Sequence, residues 1–343
     1  MTSRHPDLTI IIISFNVRKL LDQCLKSLFN DPHSKNWQII VVDNASSDDT
    51  VEYLKKHYRV IPPLTKGRLG GVSLIISQNR NNDTTQQRHN KIQLIESDKN
   101  FGFSAGNNLA TQYINAPYTL FLNPDTVVPQ GTIPHMLQYI KQHKNVGAVT
   151  CKVLLPNKQL DDGCHRGFPT PWNSFCYFSG LSRLFPKTKL FSGYTLNYLN
   201  LNTIHEIDSL CGTFMLLRTE IGSQLHWFDQ DYFWNGEDID FCYRIKQLDY
   251  KIIYNPEVSI THYKGASAGY KKTSYGKNTA SKNIKLLAAQ SSTQAMKLFY
   301  QKHYHQQYPT WFSRMVFTGI NLLEKQRINS INNKAIKYET IKP

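Results

Sequence analysis

Tyr118-Thr119-Leu120-Phe121-Leu122-Asn123-Pro124-Asp125 is an apolar run that stops abruptly on polar and turn-forming residues. Such a run, closed by Asn-Pro, reads as a buried strand, because Pro cannot donate to a ladder. The same grammar recurs outward from it. Residues 8–14 read as a strand running into Ser14-Phe15-Asn16, and residues 37–42 as one running into Asp43-Asn44-Ala45-Ser46-Ser47-Asp48. A strand at 92–96 precedes Asn100-Phe101-Gly102-Phe103-Ser104-Ala105-Gly106-Asn107-Asn108, and Glu237-Asp238 and His262 complete the series. In an open α/β sheet, ligands bind outside the carboxyl ends of the strands, so these termini are expected to converge. The resulting site would hold carboxylates, an imidazole and many amides, which suits a diphosphate–metal complex better than an apolar ligand.

Between these strands the apolar period changes to that of helices. Leu20, Leu21, Cys24, Leu25, Leu28 and Phe29 predict an amphipathic helix over 17–29. Ser46 or Ser47 is expected to cap the next helix, with Asp48, Asp49 and Glu52 complementing its dipole. Further helices are expected at 103–114, 130–143 and 237–247, with strands at 146–154, 207–217, 251–254 and 258–262. This alternation is that of a doubly wound α/β sheet. Residues 60–92 interrupt it with Pro62-Pro63, Gly70-Gly71 and a polar run from Asn79 to Asn90, and read as an inserted surface flap with one strand at 72–76. Residues 155–206 are aromatic and aperiodic, and with 225–236 they read as loops around an acceptor.

The ordered signals closely resemble the inverting glycosyltransferases of family 2 with a GT-A fold, in particular bacterial rhamnosyltransferase-like enzymes, over residues 7–266. The resemblance implies a GT-A domain at 1–266, a mixed sheet flanked by helices, with a basic helical C-terminal extension at 267–343. It also implies a nucleotide-diphosphate sugar donor, with dTDP-L-rhamnose the leading candidate. The acceptor would be a lipid-linked or growing bacterial polysaccharide.

Individual residues carry two readings each. Asp43 and Asn44 can shape a turn, or Asp43 can accept from a base N–H or ribose hydroxyls; the resemblance favours the nucleotide and lays Phe15 against the base. Gly102 and Gly106 permit close backbone approach, and a helix N-terminus offers N–H groups to anionic oxygens, although such glycines also serve packing. Within that segment Asn100, Phe103 and Asn107 are expected at the donor, with Asn108 structural. Asn123-Pro124-Asp125 stands where the family carries Asp-x-Asp. Asp125 is the hard-oxygen ligand expected for Mg2+ or Mn2+, and Asn123 would face ribose or sugar. Thr261-His262-Tyr263-Lys264-Gly265-Ala266-Ser267 resembles the family's loop whose histidine completes the metal site, so His262 inherits that place.

Glu237-Asp238 opens a helix and could simply complement its dipole. Inverting transfer needs a base for the acceptor hydroxyl, and by resemblance that base is Asp238, with Glu237 orienting the acceptor or Asp238 itself. Gly212, Thr213 and Trp234 are expected on the acceptor side. Asp240 and Arg244, four apart, read as a helix-surface pair rather than as chemistry.

Charge is unevenly distributed. The chain of 343 residues carries a net +15, and residues 264–343 hold fourteen Lys and Arg against Glu324 and Glu339. Two apolar stripes in this tail, Ile284 to Phe299 and Trp311 to Leu323, predict helices that pack on the catalytic domain or lie in an anionic membrane interface. No apolar run is long enough to span a bilayer and residues 8–15 read as a strand, so the expectation is a cytoplasmic protein, peripheral on the inner face of the membrane. The six cysteines form no C-x-x-C pair and are expected as free thiols. A nucleotidyltransferase would need a basic glycine-rich loop at the first turn, and Ser14-Phe15-Asn16-Val17 offers none. No nucleic-acid-binding signature accompanies the basic tail, and no nucleic acid is expected.

Overall fold

The computed structural model describes residues 5–61, 90–264 and 282–339. The elements are β1 (Leu8–Ser14), α1 (Arg18–Phe29), β2 (Trp37–Asp43), α2 (Thr50–His57), β3 (Arg59–Ile61), β4 (Lys91–Glu96), α3 (Gly102–Thr111), β5 (Tyr118–Leu122) and β6 (Thr126–Val127). They continue with α4 (Thr132–Gln142), β7 (Val146–Leu154), α5 (Pro171–Ser179), α6 (Leu181–Leu184), β8 (His205–Ile207), β9 (Phe214–Arg218) and α7 (Thr219–Gln224). The last are α8 (Glu237–Gln247), β10 (Lys251–His262), α9 (Lys282–His303) and α10 (Thr310–Glu339).

The strands form one mixed sheet in the order β3-β4-β2-β1-β5-β9-β7-β10-β6, with β8 beside β10. Every residue of β1 is buried, as expected of a parallel strand covered on both faces. β3, β4, β2, β1 and β5 run parallel, and β9 lies antiparallel between β5 and β7. β10 is parallel to β7. The carboxyl ends of β1, β2, β4, β5, β7 and β10 therefore share one edge with the amino end of β9. All six cysteines are free thiols.

Several local expectations are corrected. The single strand expected at 207–217 is divided between β8 and β9, because the chain from Asp208 to Leu210 bonds to another loop. Arg166 N donates to the Ser209 carbonyl at 3.1 Å, Ser209 N to the Arg166 carbonyl at 2.9 Å, and Phe168 N to Asp208 Oδ2 at 3.1 Å. The two strands expected at 251–254 and 258–262 form one strand, β10, whose register shifts between Asn255 and Ser259 around Pro256, which has no N–H to offer. Neither Ser46 nor Ser47 caps α2: Ser46 Oγ accepts from Asn16 N at 3.0 Å, and Asp48 Oδ1 accepts from Thr50 N at 3.2 Å. Of the expected insertion, residues 60–61 and 91–92 belong to β3 and β4. Residues 62–89, with the strand expected at 72–76, lie outside the described residues.

The C-terminal helices dock onto α8. Tyr232, Ala295, Phe299, Tyr300 and Tyr304 make a second small core, against which Ile239, Tyr243, Val316 and Phe317 pack. His303 Nε2 meets Asp240 Oδ1 at 2.7 Å, and Lys302 pairs with Asp231 at 2.6 Å. Packing thus occupies the Ala295/Phe299 face of α9. Trp311 and Met315 of α10 stay exposed. No helix among the described residues is long and apolar enough to cross a membrane.

Candidate active site

The short antiparallel pairing of β6 with β10 sets His262 opposite Thr126 and so brings it beside Asp125. Tyr263 N donates to the Asp125 carbonyl at 2.8 Å, and His262 Nε2 lies 3.2 Å from Asp125 Oδ1. The other ring nitrogen, Nδ1, lies 2.8 Å from Asp161 Oδ2. Asp161 Oδ1 accepts from Gly163 N at 3.1 Å and from Lys264 Nζ. Burial opposes charge on the imidazole, but Asp125 and Asp161 outweigh it and push His262 up to about 9. Burial would likewise raise Asp161, yet His262 and Lys264 hold it well below the usual carboxylate range.

Among the described residues, no group of three or more His, Cys, Asp or Glu could hold a metal by itself. Asp125 and His262 form a pair, which is the protein share that a divalent cation held mainly by diphosphate oxygens requires. Asp161 anchors the remote ring nitrogen, as carboxylates do for metal-binding histidines. The donor set therefore fits Mg2+ or Mn2+.

Glu237 and Asp238 open α8 after Gly236, whose φ of +90° is the left-handed conformation glycine tolerates. Asp238 Oδ2 lies 2.7 Å from an Arg166 guanidinium nitrogen, and its Oδ1 accepts from Ile239 N at 2.8 Å. Arg166 also donates to the Leu210 carbonyl at 3.1 Å, while its buried Nε has no partner among the described residues. Burial works against the guanidinium charge, but Asp238 more than restores it. A carboxylate has about four lone-pair positions, so Asp238 keeps acceptor capacity beyond these two bonds. Burial first, then the Asp238 charge, pushes Glu237 up to about 8, and its Oε2 is buried without a partner among the described residues. Burial thus favours the protonated form of Glu237 beside Asp238.

The two ends meet around Cys211. Its thiol is pushed up to about 11 by burial and by Asp161, with Arg166 opposing and Asp238 adding. Gly163, whose N–H donates to Asp161, packs against the Cys211 side chain, and the carbonyl of the preceding Leu210 accepts from Arg166, which holds Asp238.

The raised pKa of Glu237 has a stability consequence. Unfolded Glu titrates near 4.5 and folded Glu237 near 8, so between those values the folded chain binds the extra proton. Stability is then expected to fall as pH rises from about 5 to 8. Glu237→Gln is expected to flatten this part of the thermal-denaturation profile; a slope identical to wild type would refute the assignment.

At the nucleoside end, Asp43 closes β2 with Oδ2 accepting from Ser46 N at 3.0 Å, while Oδ1 is buried without a partner among the described residues. Burial raises its pKa, Ser46 opposes, and Asp48 and Glu96 add to the rise. Such an orphaned oxygen at a strand end suits a ligand donor. Phe15, 39% exposed, presents its ring at the end of β1.

Other expected ligand residues are occupied by the protein. Asn44 Nδ2 donates to Asn100 Oδ1 at 2.9 Å and to the Gly102 carbonyl at 3.1 Å, and its Oδ1 accepts from Phe101 N at 3.0 Å. Asn44 and Asn100 therefore shape the glycine-rich loop. Asn107 is buried and donates to the Phe103 carbonyl at 2.9 Å. Gly106 packs α3 onto β1: a Cβ there would sit 2.2 Å from Ile13 Cδ1. At Gly102, a Cβ would sit 2.2 Å from the Phe233 carbonyl, which accepts from Phe103 N at 2.8 Å. Gly212 lies against the Phe103 ring, where a Cβ would be 2.8 Å from Cζ. The close approaches expected toward a ligand are thus made to protein, and they tie the loop before α8 to the glycine-rich segment. Asn108 is structural as expected, exchanging hydrogen bonds with the Phe228 backbone.

Asn123 reaches Thr213 through both backbone and side chain, at 3.2 and 3.4 Å. Trp234 is half-buried between exposed Phe233 and Asn235. Asp240 and Arg244 pair at 2.7 Å, but not on the helix surface as expected: Asp240 is buried, and His303 of α9 meets it at 2.7 Å.

Sequence reasoning missed Asp161 and Arg166, and quoted Lys264 without a role. Asp161 lies just beyond β7, so the strand-end rule applied to that strand would have found it. Arg166 carried no signal, because it sits in the aperiodic stretch after 155.

Residues 9–195 match the family model described as Glycosyl transferase family 2. The chain is similar to the rhamnosyltransferase WbbL of Escherichia coli, 28% identical over 172 residues that cover 48% of this chain and 61% of that protein. That overlap is less than two thirds of the relative's length. It is also similar to the low-salt glycan biosynthesis hexosyltransferase Agl10 of Haloferax volcanii, 24% identical over 68% of this chain and 71% of the other. Among solved structures, the fold resembles a mannosyltransferase from Pyrobaculum calidifontis in complex with GDP-Man and Mn2+. That likeness has a TM-score of 0.54 at 14% identity, over 99% of this chain and 77% of that one.

Proposed function

The chain belongs to glycosyl transferase family 2, a rhamnosyltransferase-like member with a GT-A fold, and from that premise we propose a metal-dependent, inverting transfer from a nucleotide-diphosphate sugar. The observation that carries the reading is the clustering of Asp125–His262–Asp161 and Asp238–Arg166 at the carboxyl edge of the sheet. The likeness to a rhamnosyltransferase supports rhamnose as the transferred sugar; dTDP-L-rhamnose as its donor form and a lipid-linked or growing bacterial surface polysaccharide as its acceptor are part of the proposal.

Asp43 would accept from the nucleoside and Phe15 would cover its base. Asp125 and His262 would hold Mg2+ or Mn2+, which supplies Lewis-acid neutralisation of the diphosphate. Arg166 holds the Asp238 carboxylate in one orientation. Asp238 takes the acceptor hydroxyl proton as that oxygen bonds to the anomeric carbon, and the bond to the diphosphate oxygen breaks with its electron pair. Displacement in a single step inverts the anomeric centre. Thr213 and Trp234 would border the acceptor.

The test is a panel of nucleotide sugars with Mg2+ or Mn2+, read by released nucleoside diphosphate on wild type and Asp43→Asn. The preferred donor is expected to be dTDP-rhamnose. Losing one charged acceptor should raise the donor KM about tenfold or more, with a smaller change in kcat. Absence of turnover with every donor, or an unchanged KM in the variant, would overturn the reading.

A further inference from the structure

Seven of the fourteen exposed large apolar side chains among the described residues fall between Trp172 and Leu190. Scattered exposed apolar residues are ordinary, but a contiguous group marks an interaction site. Trp172, Phe175, Phe178, Leu184, Phe185 and Leu190 all belong to the α5–α6 hairpin and the turn that follows it, with Leu184 73% exposed.

The hairpin is an ordered scaffold. Pro171 opens α5, where Thr170 Oγ1 caps Asn173 N at 3.1 Å, and Gly180 at φ +87° turns the chain into α6. Trp172 Nε1 donates to the Leu190 carbonyl at 2.8 Å, so the polar edge of the indole is satisfied while its ring stays outside. At the base, Gly167 N donates to the Tyr194 carbonyl at 2.9 Å, and Gly167 lies tight against Gly193.

Along the hairpin itself the charge has one sign. No Asp or Glu occurs from Gly163 to His205, whereas Arg183, Lys187 and Lys189 are exposed. The guanidinium of Arg327 from α10 lies 6.0 Å over the Phe178 ring, which joins the hairpin to the basic tail. Two copies meeting through this face would oppose like charges, and like-charge juxtaposition is costly. Aromatic rings ringed by Lys and Arg fit the interface of an anionic bilayer.

We propose that the α5–α6 hairpin is a membrane-docking wedge that seats its apolar tip in the headgroup region of an anionic lipid bilayer. Arg166, which touches Asp238, lies at the foot of the hairpin, one residue before the Gly167–Tyr194 closure. A bilayer-borne acceptor hydroxyl would therefore arrive on the Asp238 side. The proposal rests on the glycosyl-transfer reading for the acceptor alone; docking itself does not depend on it.

The test uses the full chain in vesicle cosedimentation without donor or acceptor, with phosphatidylcholine alone or mixed with phosphatidylglycerol. Wild type is expected to bind the anionic vesicles and not the neutral ones. Trp172→Ser/Phe175→Ser/Phe185→Ser should lower partitioning about tenfold or more. Lys187→Glu/Lys189→Glu, which removes no packing, should lower it as well. Donor hydrolysis without acceptor, retained in both variants, shows that they are folded, and its absence in wild type would count against the transferase reading alone. Unchanged binding in both variants, equal binding to neutral vesicles, or no vesicle binding by a wild type whose oligomer the serine variant dissociates would each overturn the wedge.

Discussion

Asp238→Asn is expected to lower kcat by roughly a thousandfold while leaving the donor KM near the wild-type value. General-base catalysis contributes about 10²- to 10⁴-fold, and an amide of the same shape cannot take the proton. The substitution leaves Asp43, Asp125 and His262 in place, so donor affinity should persist. Its neighbour is a poor substitute: burial, the largest cause of its raised pKa, still favours the protonated form of Glu237 once the Asp238 charge is gone. Arg166, which donates to Asp238 Oδ2 at 2.7 Å, could still donate to the carbonyl oxygen of the substituted amide, so the carboxylate's proton affinity is lost without loss of the local bond. A drop in kcat and kcat/KM together, at constant KM, marks an interaction made in the transition state. Turnover within a few fold of wild type would show that another group takes the proton.

Asp125→Ala is expected to act on both parameters. Removing its carboxylate leaves His262 facing Asp161 alone and deletes the hard-oxygen ligand proposed for the cation. Binding of nucleoside diphosphate with Mn2+ should weaken at least about tenfold, since even residues that only orient metal ligands are worth that much. Turnover should fall on the order of a thousandfold, because a cation at a departing diphosphate is worth several kcal/mol. The thermal stability of the variant should fall near neutral pH, because Asp125 is the main partner holding the buried His262 charged, and removing one side of a buried pair is destabilising. Wild-type response to added Mn2+ in the variant would remove Asp125 from the cation site.

The sheet was legible because period and punctuation agreed. Tyr118 to Leu122, Leu8 to Ser14 and Gln38 to Val42 are continuous apolar runs that end on turn-forming polar residues, and all are central strands. Reading failed where backbone bonds went to loops: nothing in Ile207 to Leu217 announces that Arg166 and Phe168 take the partners a ladder would have used. Candidate site residues at strand and helix ends could be singled out from position together with the family resemblance, yet their supporting partners could not. Asp161 and Arg166 reach His262 and Asp238 from a stretch without period, across 101 and 72 residues of sequence. The glycines show the reverse error. Gly102, Gly106 and Gly212 invite a ligand when read as sequence, but each is a close approach to Phe233, Ile13 or Phe103. A missing Cβ records crowding, and only the fold says by what.

The central claim is that one end of the site grips a cation-bound diphosphate while the other takes a proton. Titration calorimetry of nucleoside diphosphate with Mn2+, run on Asp125→Ala and Asp238→Asn beside wild type, separates the two ends directly. Affinity is expected to drop in Asp125→Ala and to match wild type in Asp238→Asn. Equal affinity in all three proteins, or loss confined to Asp238→Asn, would contradict it.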